Sequence, residues 1–169
     1  MEKTDIQFEI EGITVNCRAV GILFNSNKIL FQKRQKDNFW ALPGGKISIM
    51  EKGYHAVKRE LNEELGINLD PQIPNDLLDV KENFFEYEGK KFHEFIFIYS
   101  MELPKDSDIL FHDESFAGAE KGKDLVFKWL DKEQILSENI APNFMVNDLI
   151  DYIDERHKNK KYMRRMRRK

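Results

Sequence analysis

A single cysteine, Cys17, stands in 169 residues, so no internal disulfide is possible and a reducing compartment fits the chain. Proline and glycine are also few, five and nine, and nowhere gather into a linker, repeat or low-complexity tract that would split the chain. No apolar run approaches the ~18 residues of a membrane span. The opening MEKTDIQFEIEG lacks the basic and apolar regions of a signal peptide. Together these absences predict one cytoplasmic domain, residues 1–157, followed by a basic tail, residues 158–169, and no membrane partner. The balance of 41% hydrophobic and 34% charged residues suffices for a core that buries roughly two thirds of the unfolded chain's surface.

Charge is unevenly placed. The formal net charge is −3, yet residues 157–169, HKNKKYMRRMRRK, carry eight Lys or Arg and no acid, leaving 19 basic against 30 acidic residues, or −11, in the rest. An acidic body of that kind repels nucleic acid except at the tail, where phosphate polymers or acidic surfaces could bind. A solvated terminus is the simpler reading of the tail.

ITVNCRAVGILF, NSN and KILFQKR predict two strands joined by a tight turn with Asn and Ser as turn residues. LLDVKENFFEY and KKFHEFIFIYS predict a second pair turning at Glu88-Gly89-Lys90, and residues 92–99 are largely apolar on both alternating faces, as in a strand covered on both sides. DLVFKWL predicts a last strand, and NFMVNDLIDYIDERHK a C-terminal helix with Phe144, Leu149, Ile150 and Ile153 at near-helical spacing. The apolar faces of residues 92–99 and of this helix would support a homodimer. Between the strand pairs, YHAVKRELNEEL has helical periodicity, and Gly66 stands where a helix ends in a left-handed residue. A helix between strand pairs must cover a sheet face, which predicts an α/β or α+β sandwich with a mixed sheet.

On that helix Val57, Leu61 and Leu65 form an apolar seam, and Glu60, Glu63 and Glu64 an acidic seam beside it. Like charges at this spacing repel. A solvated acidic face is the common outcome, but the surrounding spacing is specific. Gly45 is followed after five residues by Glu51, and Glu51 after seven by Arg59-Glu60-Leu61-Asn62-Glu63-Glu64-Leu65-Gly66-Ile67. This resembles the Nudix box of the Nudix hydrolase superfamily, with every defined position filled. NFWALPGGKI before the box, Arg34 at the end of ILFQKR, FKWL and APNFMVNDLI extend the likeness over most of residues 13–155.

The resemblance implies a Nudix-type α/β/α sandwich with a mixed β-sheet, a box loop-helix and a C-terminal helix. It also implies a Mg²⁺-dependent hydrolase, with Mn²⁺ as a substitute, that cleaves a pyrophosphate linkage in a nucleoside diphosphate-X substrate by water attack at phosphorus. The chemistry agrees, because hard divalent cations bind oxygen on substrate and protein alike, offsetting both the repulsion among the glutamates and that between an attacking water and the charged diphosphate. Carried over residue by residue, Glu60 and Glu64 are metal ligands, Glu63 a ligand directly or through water, and a backbone carbonyl at Gly44 or Gly45 a further one. Arg59 is expected to pair with Glu51 and orient the loop.

For the general base the reading favours Glu63, with Glu94, a carboxylate in a mostly apolar strand, as chief rival and Glu114 and Glu120 behind it. Arg34 and Arg18 are candidate phosphate contacts. Phe84, Phe85, Tyr87 and Phe92 could stack a base, although aromatics at strand spacing are usually core. His93 reads as a strand histidine, Trp129 as core, and Trp40 as packing beneath the Pro43-Gly44-Gly45 turn. A binding-only nucleotide sensor and an RNA-end processing hydrolase are the alternatives. The three intact glutamates argue for catalysis over sensing.

Overall fold

The computed structural model describes residues 4–69 and 76–166, the side chains of 159–166 excepted. The chain runs β1 (Gln7–Ile10), β2 (Ile13–Asn25), β3 (Lys28–Arg34), β4 (Gly44–Lys46), α1 (Gly53–Leu65), β5 (Asp76–Tyr87), β6 (Lys90–Met101), β7 (Phe116–Ala117), β8 (Leu125–Leu130), α2 (Lys132–Ser137) and α3 (Val146–Met166), with short 3-10 turns at Asp108–Phe111 and Asn143–Met145. The sheet order is β5-β6-β2-β3-β8-β7, with β1 and β4 also pairing to β2. Only β2 and β6 run parallel among these pairs. The sheet is therefore mixed, as the strand–helix–strand order implies.

Alternation along the central strands separates two cores. Ala19, Leu23, Leu30, Phe127 and Trp129 pack with Ala56, Val57 and Leu61 of α1. Val20, Ile22, Ile29, Phe31, Ile96, Ile98 and Leu130 pack with Ile135 of α2 and Leu149 and Ile153 of α3. The result is a helix layer on each face of the sheet, an α/β/α sandwich in which burial of each large side chain contributes on the order of 2 kcal/mol.

The apolar seam of α1 docks as its spacing predicts, with Val57 and Leu61 fully buried. The helix ends at Gly66, whose φ of 69° lets its amide reach the Asn62 carbonyl while Ile67 N donates to Leu61 O. In the C-terminal segment Leu149 and Ile153 are buried, whereas Phe144 is 44% exposed because Met145 takes the inward place in the turn before α3. The backbone of α3 continues through Met166, so the first part of the basic segment extends the helix.

Strand β6 is buried at Glu94, Ile96, Ile98, Tyr99 and Met101 and half-buried at Phe95 and Phe97. Strand β5 is an edge, and Phe84 lies 67% exposed there, its ring 4.5 Å from that of His93. Trp40 is buried in the core beneath α2 and α3 with Leu42 and Ile140, under the Lys33 ammonium 4.8 Å above its ring. Trp129 is core, as read from the sequence. Helix α2 went unread, although Asp131 and Gln134 form a reciprocal capping box, a signal visible in the sequence.

Candidate active site

Arg59 gathers the box around itself. Its Nε and Nη2 donate to the two Glu51 oxygens, each at 3.0 Å, and Nη2 also donates to the Lys46 carbonyl at 3.0 Å. Glu51 Oε2 accepts from the Ser48 amide at 3.1 Å. The loop between β4 and α1 is thus stitched to the helix through one bidentate ion pair. Nη1 donates to Glu60 Oε1 at 2.6 Å and lies 3.4 Å from Glu63 Oε2. Hydrogen bonding to Glu51, then to Glu60, holds the guanidinium charge well above its ordinary range.

Breaking this pair has a defined consequence. Glu51→Gln keeps the shape and loses the charge, so it should lower stability by about 1–2 kcal/mol and, should the box hold a metal as the resemblance implies, diphosphate hydrolysis about 10- to 100-fold. Chemical denaturation and turnover of the same preparation check both. A Glu51→Gln protein of full activity would remove the orienting role.

Two glycines allow close packing here, Gly44 against β2 and Gly45 against Glu60. Gly44 has φ of 144°, and a Cβ there would lie 2.2 Å from the Ala19 carbonyl oxygen of β2. A Cβ on Gly45 would lie 2.1 Å from Glu60 Oε1, so the bare backbone at Gly45 is what lets that carboxylate lie against β4.

Glu64 is the most buried acid of the box, 4% exposed, and its Oε2 has no hydrogen-bond partner. Burial, reinforced by Glu60, pushes its carboxyl up to about 7; the nearby Lys123 and Arg18 charges offset this only in part. Lys123 arrives from the loop before β8, with Nζ 3.7 Å from Glu64 Oε1 and 2.8 Å from Glu120 Oε2. Glu120, a weak candidate in the sequence, is thereby brought to the box. Glu114 is exposed. Among the described residues no three His, Cys, Asp or Glu side chains converge closely enough to chelate an ion as they stand. Each box carboxylate is instead turned towards a cation of the chain.

A sheet surface adjoins this cluster. Cross-strand register lines up Thr14, Phe92 and Phe85, then Asn16, Glu94 and Asn83, then Arg18, Ile96 and Lys81, across β2, β6 and β5. Phe85 and Phe92 stack at 4.8 Å with their planes 7° apart. Asn16 is 3% exposed with Oδ1 unpartnered. Glu94 is 8% exposed. Burial raises its carboxyl against the opposing pull of Arg18, of a hydrogen bond with Asn83 and of Lys46.

Arg18 donates through Nη2 to the Gly44 carbonyl at 2.8 Å, and its charge reaches both Glu64 and Glu94. It therefore joins the polar row to the box. Arg34 does not join it: that residue ends β3 exposed, with Lys36 and Glu88 as its electrostatic neighbours. Asn16, Asn83 and Lys123 also come to this surface and cluster, positions that no local pattern marks out, save for the asparagine inside the apolar run ITVNCRAVGILF.

A cleft of about 320 Å³ lined by His55, Lys58, Arg59, Asn62, Asn68 and Leu69 also opens beside α1. It contains no box carboxylate and touches the cluster only through Arg59.

Known proteins resemble this chain in sequence and in fold. An 8-oxo-dGTP diphosphatase from Buchnera aphidicola subsp. Acyrthosiphon pisum (strain APS) is 38% identical over 66 residues, 38% of this chain and 45% of the relative. An RNA pyrophosphohydrolase from Ruthia magnifica subsp. Calyptogena magnifica is 40% identical over 62 residues, 36% and 33% of the two chains. The chain thus spans less than half the length of these curated relatives. A MutT NUDIX hydrolase from Burkholderia pseudomallei superposes with a TM-score of 0.56 at 19% identity, covering 80% of this chain and 98% of that one. A C. elegans Ap4A hydrolase binary complex gives 0.56 at 15% identity, with 85% and 98% covered. These two likenesses establish the fold. The NUDIX domain family matches residues 15–147, a span that takes in the whole box and all of the sheet but β1 and the start of β2, and the chain belongs to that family.

Proposed function

We propose that this protein is a divalent-metal-dependent hydrolase of a diphosphate linkage in a nucleotide or nucleotide conjugate. The observation that carries the reading is Glu64: a buried carboxylate with an orphaned oxygen, beside Glu60 and Glu120, in a chain that fills the Nudix box. Oxygen-only donors of this kind suit Mg²⁺ or Mn²⁺. Glu60 and Glu64 would hold the ion, with Glu63 directly or through water and a backbone carbonyl at Gly44 or Gly45. When bound, the ion supplies charge neutralisation at the diphosphate and a more acidic water.

Glu63, its side chain 45% exposed and loosely tied to Arg59, is the proton acceptor in this scheme. Water oxygen bonds to phosphorus as the bridging P–O bond breaks; the water proton passes to Glu63, and the bridging oxygen leaves with the second phosphate. Glu94, buried within the field of Arg18, serves substrate orientation instead. Arg18 meets phosphate charge between the box and the sheet surface. The Phe85–Phe92 pair offers an apolar face to a base, and Asn16, Glu94 and Asn83 offer polar atoms to its edge. The diphosphatase and pyrophosphohydrolase names of the relatives support this substrate class.

The test incubates the protein with Mg²⁺ and nucleoside triphosphates, nucleotide sugars, ADP-ribose and dinucleoside polyphosphates, beside Glu63→Gln/Glu64→Gln. Cleavage of one class, lost in the double variant, is the expected result. Wild type and variant equally inert, with ADP-ribose still bound, would replace hydrolysis by nucleotide sensing.

A further inference from the structure

Lys123 lies inside the acidic cluster on which the proposed function rests, and the hydrolytic chemistry gives it no part. Its loop is fixed to the last turn of α1. Ala119 N donates to the Glu64 carbonyl at 2.7 Å, and a Cβ on Gly118 would come within 2.9 Å of that same oxygen. From this anchor Glu120 Oε2 meets Lys123 Nζ at 2.8 Å, and Nζ reaches within 3.7 Å of Glu64 Oε1. The ammonium also feels the charge of Glu60. It therefore lies in the field of three carboxylates, two of which, Glu64 and Glu120, hold a buried Oε2 without a hydrogen-bond partner, the Glu120 oxygen meeting Lys123 as an ion pair.

An ammonium and a hard divalent ion compete for the same oxygens. The lysine side chain is 45% exposed, so it can swing into solvent without opening the core, on a stem that keeps it nearby. We propose that Lys123 is a tethered counter-ion that holds the place of the divalent metal: it neutralises Glu64 and Glu120 while the cluster is metal-free, and withdraws when an ion takes those oxygens. Metal affinity is then lower than the carboxylates alone would give, and the metal-free fold is protected from their repulsion.

The experiment titrates Mn²⁺ into the full-length protein without substrate and follows the free ion by electron paramagnetic resonance, for wild type, Lys123→Met and Lys123→Arg. Removing the competing charge should tighten Mn²⁺ binding roughly tenfold in Lys123→Met, while Lys123→Arg binds as wild type does. In chelator Lys123→Met should unfold at a lower temperature than wild type, and saturating Mn²⁺ should erase the difference. Equal affinity in all three proteins, or weaker binding in Lys123→Met, overturns the placeholder role alone. No binding by wild type or by Lys123→Met overturns it together with the metal-dependent reading. Lys123→Gln, polar and of similar reach in an exposed loop, provides the same comparison should the methionine variant fail to fold.

Discussion

Glu64→Gln should be inactive and, in chelator at pH 8, more stable than the wild type. The sign follows from burial. The Glu64 carboxyl rises from 4.5 to about 7 in the fold, so the native state retains a proton that the unfolded chain has already lost. Its contribution favours folding most below pH 4.5 and is lost as pH rises through about 7. At about 1.4 kcal/mol per pH unit, a rise from 4.5 to about 7 means the charged form costs the metal-free fold at most about 3.5 kcal/mol.

Glutamine keeps the shape without the charge. The variant should gain about 5–10 °C in Tm at pH 8 and almost nothing at pH 5. Mg²⁺ should raise the wild-type Tm and leave that of the variant nearly unmoved, since a ligand stabilises only a fold that binds it. Hydrolysis should fall on the order of a thousandfold or more, the scale of losing a metal's charge stabilisation. Thermal melts at the two pH values, with chelator and with Mg²⁺, test the first part, and initial rates the second. A variant less stable than wild type at pH 8 would show that the Lys123 pairing outweighs the burial of the charge.

The neighbouring glycines should fail in opposite ways. Gly44→Ala forces a side chain onto a backbone at φ of 144°, with Cβ 2.2 Å from Ala19 O and 2.8 Å from Val20 Cα. Neither neighbour can rotate away, so the strain falls on β2 and should cost about 3 kcal/mol or more, seen as a lower midpoint in urea. Gly45→Ala meets only Glu60, at 2.1 Å from Oε1 and 2.7 Å from Cγ. That side chain can move, so the fold should survive while metal affinity and hydrolysis drop about a hundredfold. Mn²⁺ titration of Gly45→Ala decides the matter. Wild-type affinity in that variant would mean that Glu60 need not lie against β4 to hold the ion.

Both outcomes draw on features of different legibility. The acidic seam, the Glu51–Arg59 pairing and the glycines were readable because a fixed spacing on a helix and its preceding loop places them. Their burial was not. Glu60 and Glu64 look alike in the sequence, yet Glu64 alone carries an orphaned buried oxygen, because the loop bearing Gly118 and Ala119 closes over its end of α1. Arg18 and Arg34 both read as candidate phosphate contacts, Arg34 ahead of Arg18. The register of β2 against β4 turns Arg18 to the Gly44 carbonyl, whereas Arg34 runs out exposed at the end of β3.

The sequence by itself determined the hairpins, the helix and its end at Gly66, the sandwich class and the family, since periodicity and turn chemistry act over a few residues. Tertiary structure alone decided which groups share a site. Asn16, Glu94 and Asn83 come from three strands joined by cross-strand register. Glu120 and Lys123 reach Glu64 from more than fifty positions away along the chain. Exposure and charge neighbourhood depend on what packs against a residue, and a local pattern contains neither.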